Sequence, residues 1–180
     1  MELTSLIACI CEGGAEKTIM KILLDNDLLI FRWTDLLEEE LLTCRNGEKF
    51  ESYLRKAFFD KISVVRILDS RREKFKVGKA YEHKIEVVNV ITAPEIEMLV
   101  ILNEGKYNEY KKSGKKPSDF CKQDLKMSQI KSPSTVEKYF RNVDDLVASI
   151  KEYGRITKSK IRRVYACRFA KAITGTVSTE

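Results

Sequence analysis

A few acidic residues stand where short apolar runs end, and they are the side chains of this sequence best able to do chemistry. Glu12 follows residues 3–11 (LTSLIACIC) and precedes Gly13-Gly14 and Glu16; Asp69 follows residues 62–68 (ISVVRIL); Glu95 and Glu97 come just past residues 84–91 (KIEVVNVI). An acid at the C-terminal end of a parallel strand lies in the crevice where open α/β sheets bind their ligands. If the strands carrying Glu12 and Asp69 are neighbours, their carboxylates converge on one edge. Clustered carboxylates with little nitrogen or sulfur nearby favour a hard divalent ion, Mg2+ or Mn2+, and Glu12, Glu16, Asp69 and Glu97 are the candidate ligands. Each acid alone has a plainer explanation, since Asp69 can simply begin a turn and Glu95 suits the positive end of a helix. The recurrence of acids after three strands is what points to a metal.

Basic residues follow the same places. Arg71, Arg72, Lys74, Lys76 and Lys79 come after Asp69, and Lys106, Lys111, Lys112, Lys115 and Lys116 are interleaved with Tyr107 and Tyr110. Cations tracking a phosphate backbone, with bases stacked on tyrosine, suit a nucleic-acid partner. Arg71, Arg72, Lys74, Lys111, Lys112, Lys115 and Lys116 are the candidate contacts, and a merely solvated charged face is the alternative. Gly13-Gly14 ahead of a helix offers a second way to hold phosphate, through backbone N–H groups. The sequence has no GxxxxGK[ST] or GxGxxG, however, and Glu12 and Glu16 would repel a bare phosphate unless a metal lay between them. The lone histidine, His83, has no evident carboxylate or serine partner, which argues against a His-based hydrolase. Cys9, Cys11, Cys44, Cys121 and Cys167 are scattered without a CxxC pair, which argues against structural zinc.

The run Cys11-Glu12-Gly13-Gly14-Ala15-Glu16 resembles the first motif of the TOPRIM (topoisomerase-primase) domains, in the EGxxE form of the overcoming-lysogenization-defect nucleases and RloB-like proteins. Ile67-Leu68-Asp69-Ser70-Arg71 occupies the place of that family's DxD motif, and Thr92-Ala93-Pro94-Glu95-Ile96-Glu97 is similar to the later PxxE segment of RloB-like chains. The resemblance covers residues 5 to 102. It implies a magnesium-dependent phosphodiester chemistry in a bacterial defence or mobile-element setting, with a homodimer or an operon partner protein as possible assemblies. The site roles it implies are Glu12 as metal ligand or general base, Asp69 as metal ligand, and Arg71 or Lys74 as a clamp on the scissile phosphate. The chain departs from the pattern at Arg71, where the family has its second aspartate. A guanidinium there reverses a charge that a metal would need and cannot deprotonate. A non-catalytic nucleic-acid-binding or protein-binding module is therefore the competing expectation.

Positioning these residues calls for an α/β fold, a mainly parallel four-stranded sheet sandwiched by helices. Residues 3–11, 28–31, 62–68 and 84–91 read as its strands, the first buried on both faces because its apolar run is continuous. Between the first two, residues 15–24 put Ile19, Ile22 and Leu23 on one stripe with Lys17 and Lys21 opposite, and residues 25–27 (Asp-Asn-Asp) stop that helix. Further helices are expected from Thr34 to Leu42, over residues 47–59 and over 95–103, the last apolar on most sides and so deep in the structure. Residues 117–125, 134–140 and 143–153 each read as one helix.

Three segments result: an α/β core over 1–104, a helical appendage packed on it over 105–154, and a poorly patterned basic tail over 155–180. Net charge supports the last boundary. The chain of 180 residues carries 33 basic and 27 acidic groups, +6 overall; seven of the basic groups and one of the acidic ones lie in 155–180, so residues 1–154 hold 26 of each. No signal-peptide pattern opens the sequence and no apolar run approaches the ~18 residues that span a bilayer. A reducing, cytoplasmic setting without membrane attachment is the expectation.

Overall fold

A computed structural model describes residues 3–44, 46–54, 61–68, 75–91 and 96–156. Its elements run β1 (Leu6–Cys11), α1 (Gly14–Asp25), two 3-10 turns (Trp33–Asp35 and Leu37–Glu39), α2 (Gly47–Leu54), β2 (Ile62–Leu68), β3 (Ile85–Ile91), α3 (Ile96–Asn103), α4 (Tyr107–Ser113), α5 (Pro117–Gln123), α6 (Pro133–Tyr139) and α7 (Val143–Ile156). The chain divides into two compact units, one of Met1–Lys17 with Phe31–Ala93 and one of Thr18–Ile30 with Pro94–Glu180. Residues 157–180, with most of the basic tail, lie outside the described residues, as do 55–59 of the helix expected over 47–59.

The first unit holds the sheet. Its order is β1-β2-β3, and both pairings are parallel, with Cys11 opposite Ile67 and Leu68 opposite Ile91. Alternation along β1 sends Ala8 and Ile10 into a core with Leu37, Leu42, Phe50, Leu54, Ile62 and Val64, while Ile7, Cys9 and Cys11 are buried on the other face. Burial of both faces is what a continuous apolar run in a parallel sheet requires. Ser63 is the one buried hydroxyl of β2, and it is satisfied by reciprocal bonds with Thr4: the Ser63 N–H donates to Thr4 Oγ1 at 2.8 Å and the Thr4 N–H to Ser63 Oγ at 2.9 Å.

Among the described residues the sheet has three strands rather than the expected four. Residues 28–31 are not a strand, because Leu28 is consumed in ending α1. Asp27 adopts a left-handed φ of 53°, the Asp27 N–H donates to Leu24 O at 3.1 Å and the Leu28 N–H to Leu23 O at 2.9 Å. That pair of bonds is a Schellman cap, in which an apolar residue just past the helix closes the motif. The space beside β1 is taken instead by residues 36–42, which touch the strand at two isolated parallel bridges, Ile7 with Leu36 and Ile10 with Leu42. Six residues of chain thus match three of strand, and the surplus is wound into the 3-10 turn with Glu38 and Glu39 at positive φ (56° and 53°). The helix expected from Thr34 to Leu42 is replaced for the same reason: Leu36, Leu37, Leu41 and Leu42 are all buried, and one helical stripe cannot send them all inward while keeping both bridges.

In the second unit α3 is central. Every residue from Ile96 to Leu102 is buried, and α4, α5 and α7 pack against it. Its end is a second Schellman cap, with the Lys106 N–H donating to Ile101 O at 2.9 Å and Gly105 supplying the left-handed φ of 64° at no steric cost. Phe120, Cys121, Ile130, Val136, Phe140 and Leu146 complete the buried set. The buried side chains of α1 are Ala15, Met20, Leu23 and Leu24, a stripe rotated slightly from the expected Ile19, Ile22 and Leu23.

Candidate functional site

The parallel register puts the C-terminal ends of β1, β2 and β3 along one side of the sheet. Glu12 is the first residue past β1, and its N–H donates to Ile67 O at 3.3 Å, so its backbone is fastened to the end of β2. The next residue in sequence after β2 is Asp69. Asp69, Arg71, Arg72 and Lys74 lie outside the described residues, and so does Glu95.

Glu16 stands in the first turn of α1, where the helix dipole favours a negative charge. The Lys17 N–H donates to Gly13 O at 3.1 Å, making Gly13 the residue that opens the helix. The Glu16 carboxylate folds back over Gly13: a Cβ built there would come within 2.5 Å of Glu16 Oε2. Only glycine leaves that carboxylate its position. Glu12 and Glu16 are both half-buried, and carboxylates are donors of the type a hard cation takes. Among the described residues no group of three or more His, Cys, Asp or Glu is arranged to hold a metal.

Glu97 belongs to the second unit. Its side chain is 6% exposed, and its Oε2 lies 3.5 Å from Lys131 Nζ, close enough for an ion pair yet without the orientation of a hydrogen bond. Its main-chain carbonyl accepts from Cys121 Sγ at 3.6 Å. Burial, with the Glu97 charge adding to it, pushes the Cys121 thiol up to about 12. The hydrogen bond with Cys11, followed by burial, likewise holds the Cys9 thiol well above its ordinary value. The four described cysteines are all buried and free, so none has the exposed setting of a nucleophile.

The basic candidates divide. Lys111, Lys112 and Lys116 are exposed, whereas Lys115 is ion-paired with Asp124 at 2.6 Å and Lys106 with Glu109 at 2.7 Å. Tyr110 packs edge-on to buried Phe120 with ring centroids 5.5 Å apart, and Tyr107 lies 6.4 Å from Tyr110. The Tyr110 ring is therefore committed in part to the helical core rather than left as a platform for bases.

One charged residue inside the sheet escapes sequence reasoning. Arg66 is 1% exposed in the middle of β2; its guanidinium lies 4.7 Å from the Phe75 ring centroid and donates to Asn89 Oδ1 on β3 at 3.3 Å. The available signal was a single cation inside the run ISVVRIL, which a strand buried on both faces tolerates only with partners. The nearby Cys44 thiol is raised by burial, offset by Lys49 and Arg66.

Comparison of the chain with models of protein families, with curated proteins and with solved structures finds no match. Among the described residues no helix is long and apolar enough to cross a membrane.

Proposed function

We propose that the chain is a TOPRIM-like protein of the RloB-like type, binding Mg2+ or Mn2+ at the C-terminal side of its sheet and acting on nucleic-acid phosphodiester bonds in the cytoplasm. The observation that carries this reading is the parallel β1–β2 register, which fastens Glu12 to the end of the strand whose next residue is Asp69. Adjacent strand ends are what the EGxxE and DxD positions need if their carboxylates are to share an ion. Glu12, Glu16 and Asp69 would hold the metal, which when bound supplies charge stabilisation at a phosphoryl oxygen. Glu12 would also take a proton from an attacking water, and Arg71 with Arg72 and Lys74 would grip the phosphate. Lys111, Lys112 and Lys116 would add contacts to the backbone. A bacterial defence or mobile-element role fits this chemistry.

Arg71 favours a second reading, a TOPRIM-like module that binds nucleic acid or protein without cutting. Calorimetry with each ion, on wild type and on Glu12→Ala and Asp69→Ala, tests the metal site; no heat for wild type, or unchanged heat in both variants, removes it. Plasmid, single strands and tRNA then separate the readings: cleavage abolished by Glu12→Gln supports the nuclease, and metal-dependent binding without cleavage supports the second.

A further inference from the structure

Residues 1–154 are neutral as a whole, yet their charge is not evenly spread. Residues 106–141 hold ten basic groups against four acidic ones, and the rest of 1–154 holds sixteen against twenty-two. Much of the excess falls on the α4–α5 pair of the second unit. Lys111, Lys112, Lys116, Lys122 and Lys126 are exposed there, and among the described residues none of them is paired with a carboxylate. The acids of the same stretch are occupied otherwise. Glu109 pairs with Lys106 at 2.7 Å and Asp124 with Lys115 at 2.6 Å, while Asp119 stands in the first turn of α5, where the helix dipole favours it. We infer, resting on the nucleic-acid reading proposed above, that the α4–α5 pair docks the phosphate backbone of a duplex and makes no contact with its bases.

The pair is fastened in a way that leaves the lysines outside. Tyr110 of α4 meets buried Phe120 of α5 edge-on. Gly114 turns the chain between the helices at a left-handed φ of 65°, with nothing within 4 Å of where a Cβ would stand, so the tip between Lys112 and Lys116 is open. At the other end the Leu125 N–H donates to Phe120 O at 3.2 Å and the Met127 N–H to Cys121 O at 2.9 Å, which keeps Lys126 at the end of α5 that carries Lys122. The seven residues of α5 span roughly 10 Å. Over that length a duplex presents about six phosphates and a single strand about half as many; five lysines match the first density. Single strands are gripped by stacking bases on aromatic rings, and here the rings are taken, Tyr107 against Tyr110, Tyr110 against Phe120 and Tyr139 against Phe140. A membrane surface would need an apolar anchor, and the exposed large apolar side chains among the described residues, Ile30 and Val87, lie outside the segment.

Fluorescence anisotropy of the full chain in EDTA tests this apart from the metal site, with a DNA duplex, an RNA duplex and single strands of the same length as probes. Both duplexes should bind more tightly than either single strand, and the two duplex arms tell DNA from RNA. Lys111→Gln, Lys112→Gln and Lys116→Gln together remove three phosphate contacts and should make the double-logarithmic salt slope on duplex shallower by about 2.7. A rise from about 50 to 200 mM salt should then weaken wild type about 40-fold more than the triple variant. Lys49→Gln, Lys61→Gln and Lys151→Gln together remove the same charge elsewhere and should leave the slope as it is. Single strands bound as tightly as duplexes, a slope that the first triple leaves unchanged or the second lowers as much, or tighter binding to phosphatidylserine vesicles than to duplex overturns the docking surface and leaves the nuclease reading standing. No binding to any of the nucleic acids, in EDTA or in Mg2+, removes that reading as well.

Discussion

Gly13→Ala is the sharpest test of the Glu16 carboxylate as a ligand, because it separates the position of a charge from the stability of the fold. The new methyl would sit 2.5 Å from Glu16 Oε2. An ordinary contact needs 3.4 Å or more, so the carboxylate must retreat by about 1 Å. The atom in the way ends a flexible side chain, so the retreat itself is cheap. Alanine is a poorer residue than glycine at the start of a helix by up to about 1 kcal/mol, and it recovers roughly 0.4–1 kcal/mol by restricting the unfolded chain. The two effects nearly cancel, and Tm should move by less than about 3 °C for a chain of this size. Metal affinity should respond differently. A ligand oxygen displaced by ~1 Å no longer meets metal–oxygen distances of roughly 2.0–2.6 Å, and weakening of Mn2+ binding by about tenfold is expected. Titration calorimetry with Mn2+ beside a thermal melt reads both quantities. Unchanged affinity at unchanged Tm would show that Glu16 does not contribute to the site; a large fall in Tm would show that Gly13 itself is structural.

Gly47→Ala should behave in the opposite way, since its Cβ would run into the Lys76 carbonyl, backbone that cannot swing aside. Overpacking there should cost about 1–3 kcal/mol and lower Tm by roughly 2–12 °C, with metal binding per folded molecule unchanged. Cys121, raised from an ordinary 9.0 to about 12, should react with iodoacetamide at pH 8 at least about a hundredfold more slowly than a free thiol until the protein is unfolded. Because the folded thiol keeps its proton where the unfolded one has lost it, Cys121 contributes stability that is whole below pH 9 and is lost as pH rises toward 12, which denaturant melts across that window would detect. Lys131→Met removes the counter-charge of buried Glu97; since Lys131 is half-exposed, a loss of about 1 kcal/mol and 2–4 °C in Tm is expected, partly recovered by adding Glu97→Gln. A chain ending at Ile156 should keep nucleic-acid binding in a filter assay, because Arg71, Arg72, Lys74 and the Lys111 to Lys116 stretch all precede that point; loss of binding would assign it to the basic tail.

β1 and β2 were legible because each is a largely apolar run buried on both faces, and β3 because β-branched residues recur through it although Glu86 and Val87 are exposed. The run of residues 28–31 has the same look and a different fate. Four apolar residues after a turn serve equally as an edge strand or as the hydrophobic close of a helix, and the choice was made by Asp27, whose short polar side chain permits the left-handed φ that the Schellman cap needs. A cap led by glycine, as at Gly105, announces itself in sequence; one led by aspartate does not. Residues 36–42 were misread for a related reason. Thr34 and Asp35 ahead of an acidic, leucine-rich stretch look like a helix start, but leucines at 36, 37, 41 and 42 spread over about two thirds of a helix's circumference, and all four are buried because the segment is kinked and pinned to β1 at two points.

The site was legible to a different degree for each acid, and the physical reason is how far each one depends on tertiary pairing. Glu12 and Glu16 sit in one local unit, a strand end followed by a helix start, so five residues of sequence define their relation. The relation of Glu12 to Asp69 turns on which strands are neighbours; β1 and β2 are, while Asp69 itself lies outside the described residues. Glu97 depends on where α3 goes. Its surroundings are Ile96, Met98, Val100 and Ile101, all buried, and its charge is already met by an ammonium 3.5 Å away. A carboxylate so placed must give up Lys131 before it can serve a cation, and an ion pair with one partner half in water is easier to exchange than a fully buried one. The Lys131→Met melt therefore reads the role of Glu97 within its own unit: a fall in Tm that Glu97→Gln partly restores marks Glu97, with Lys131, as the internal anchor of the helical unit, and a Tm that does not move denies it that part.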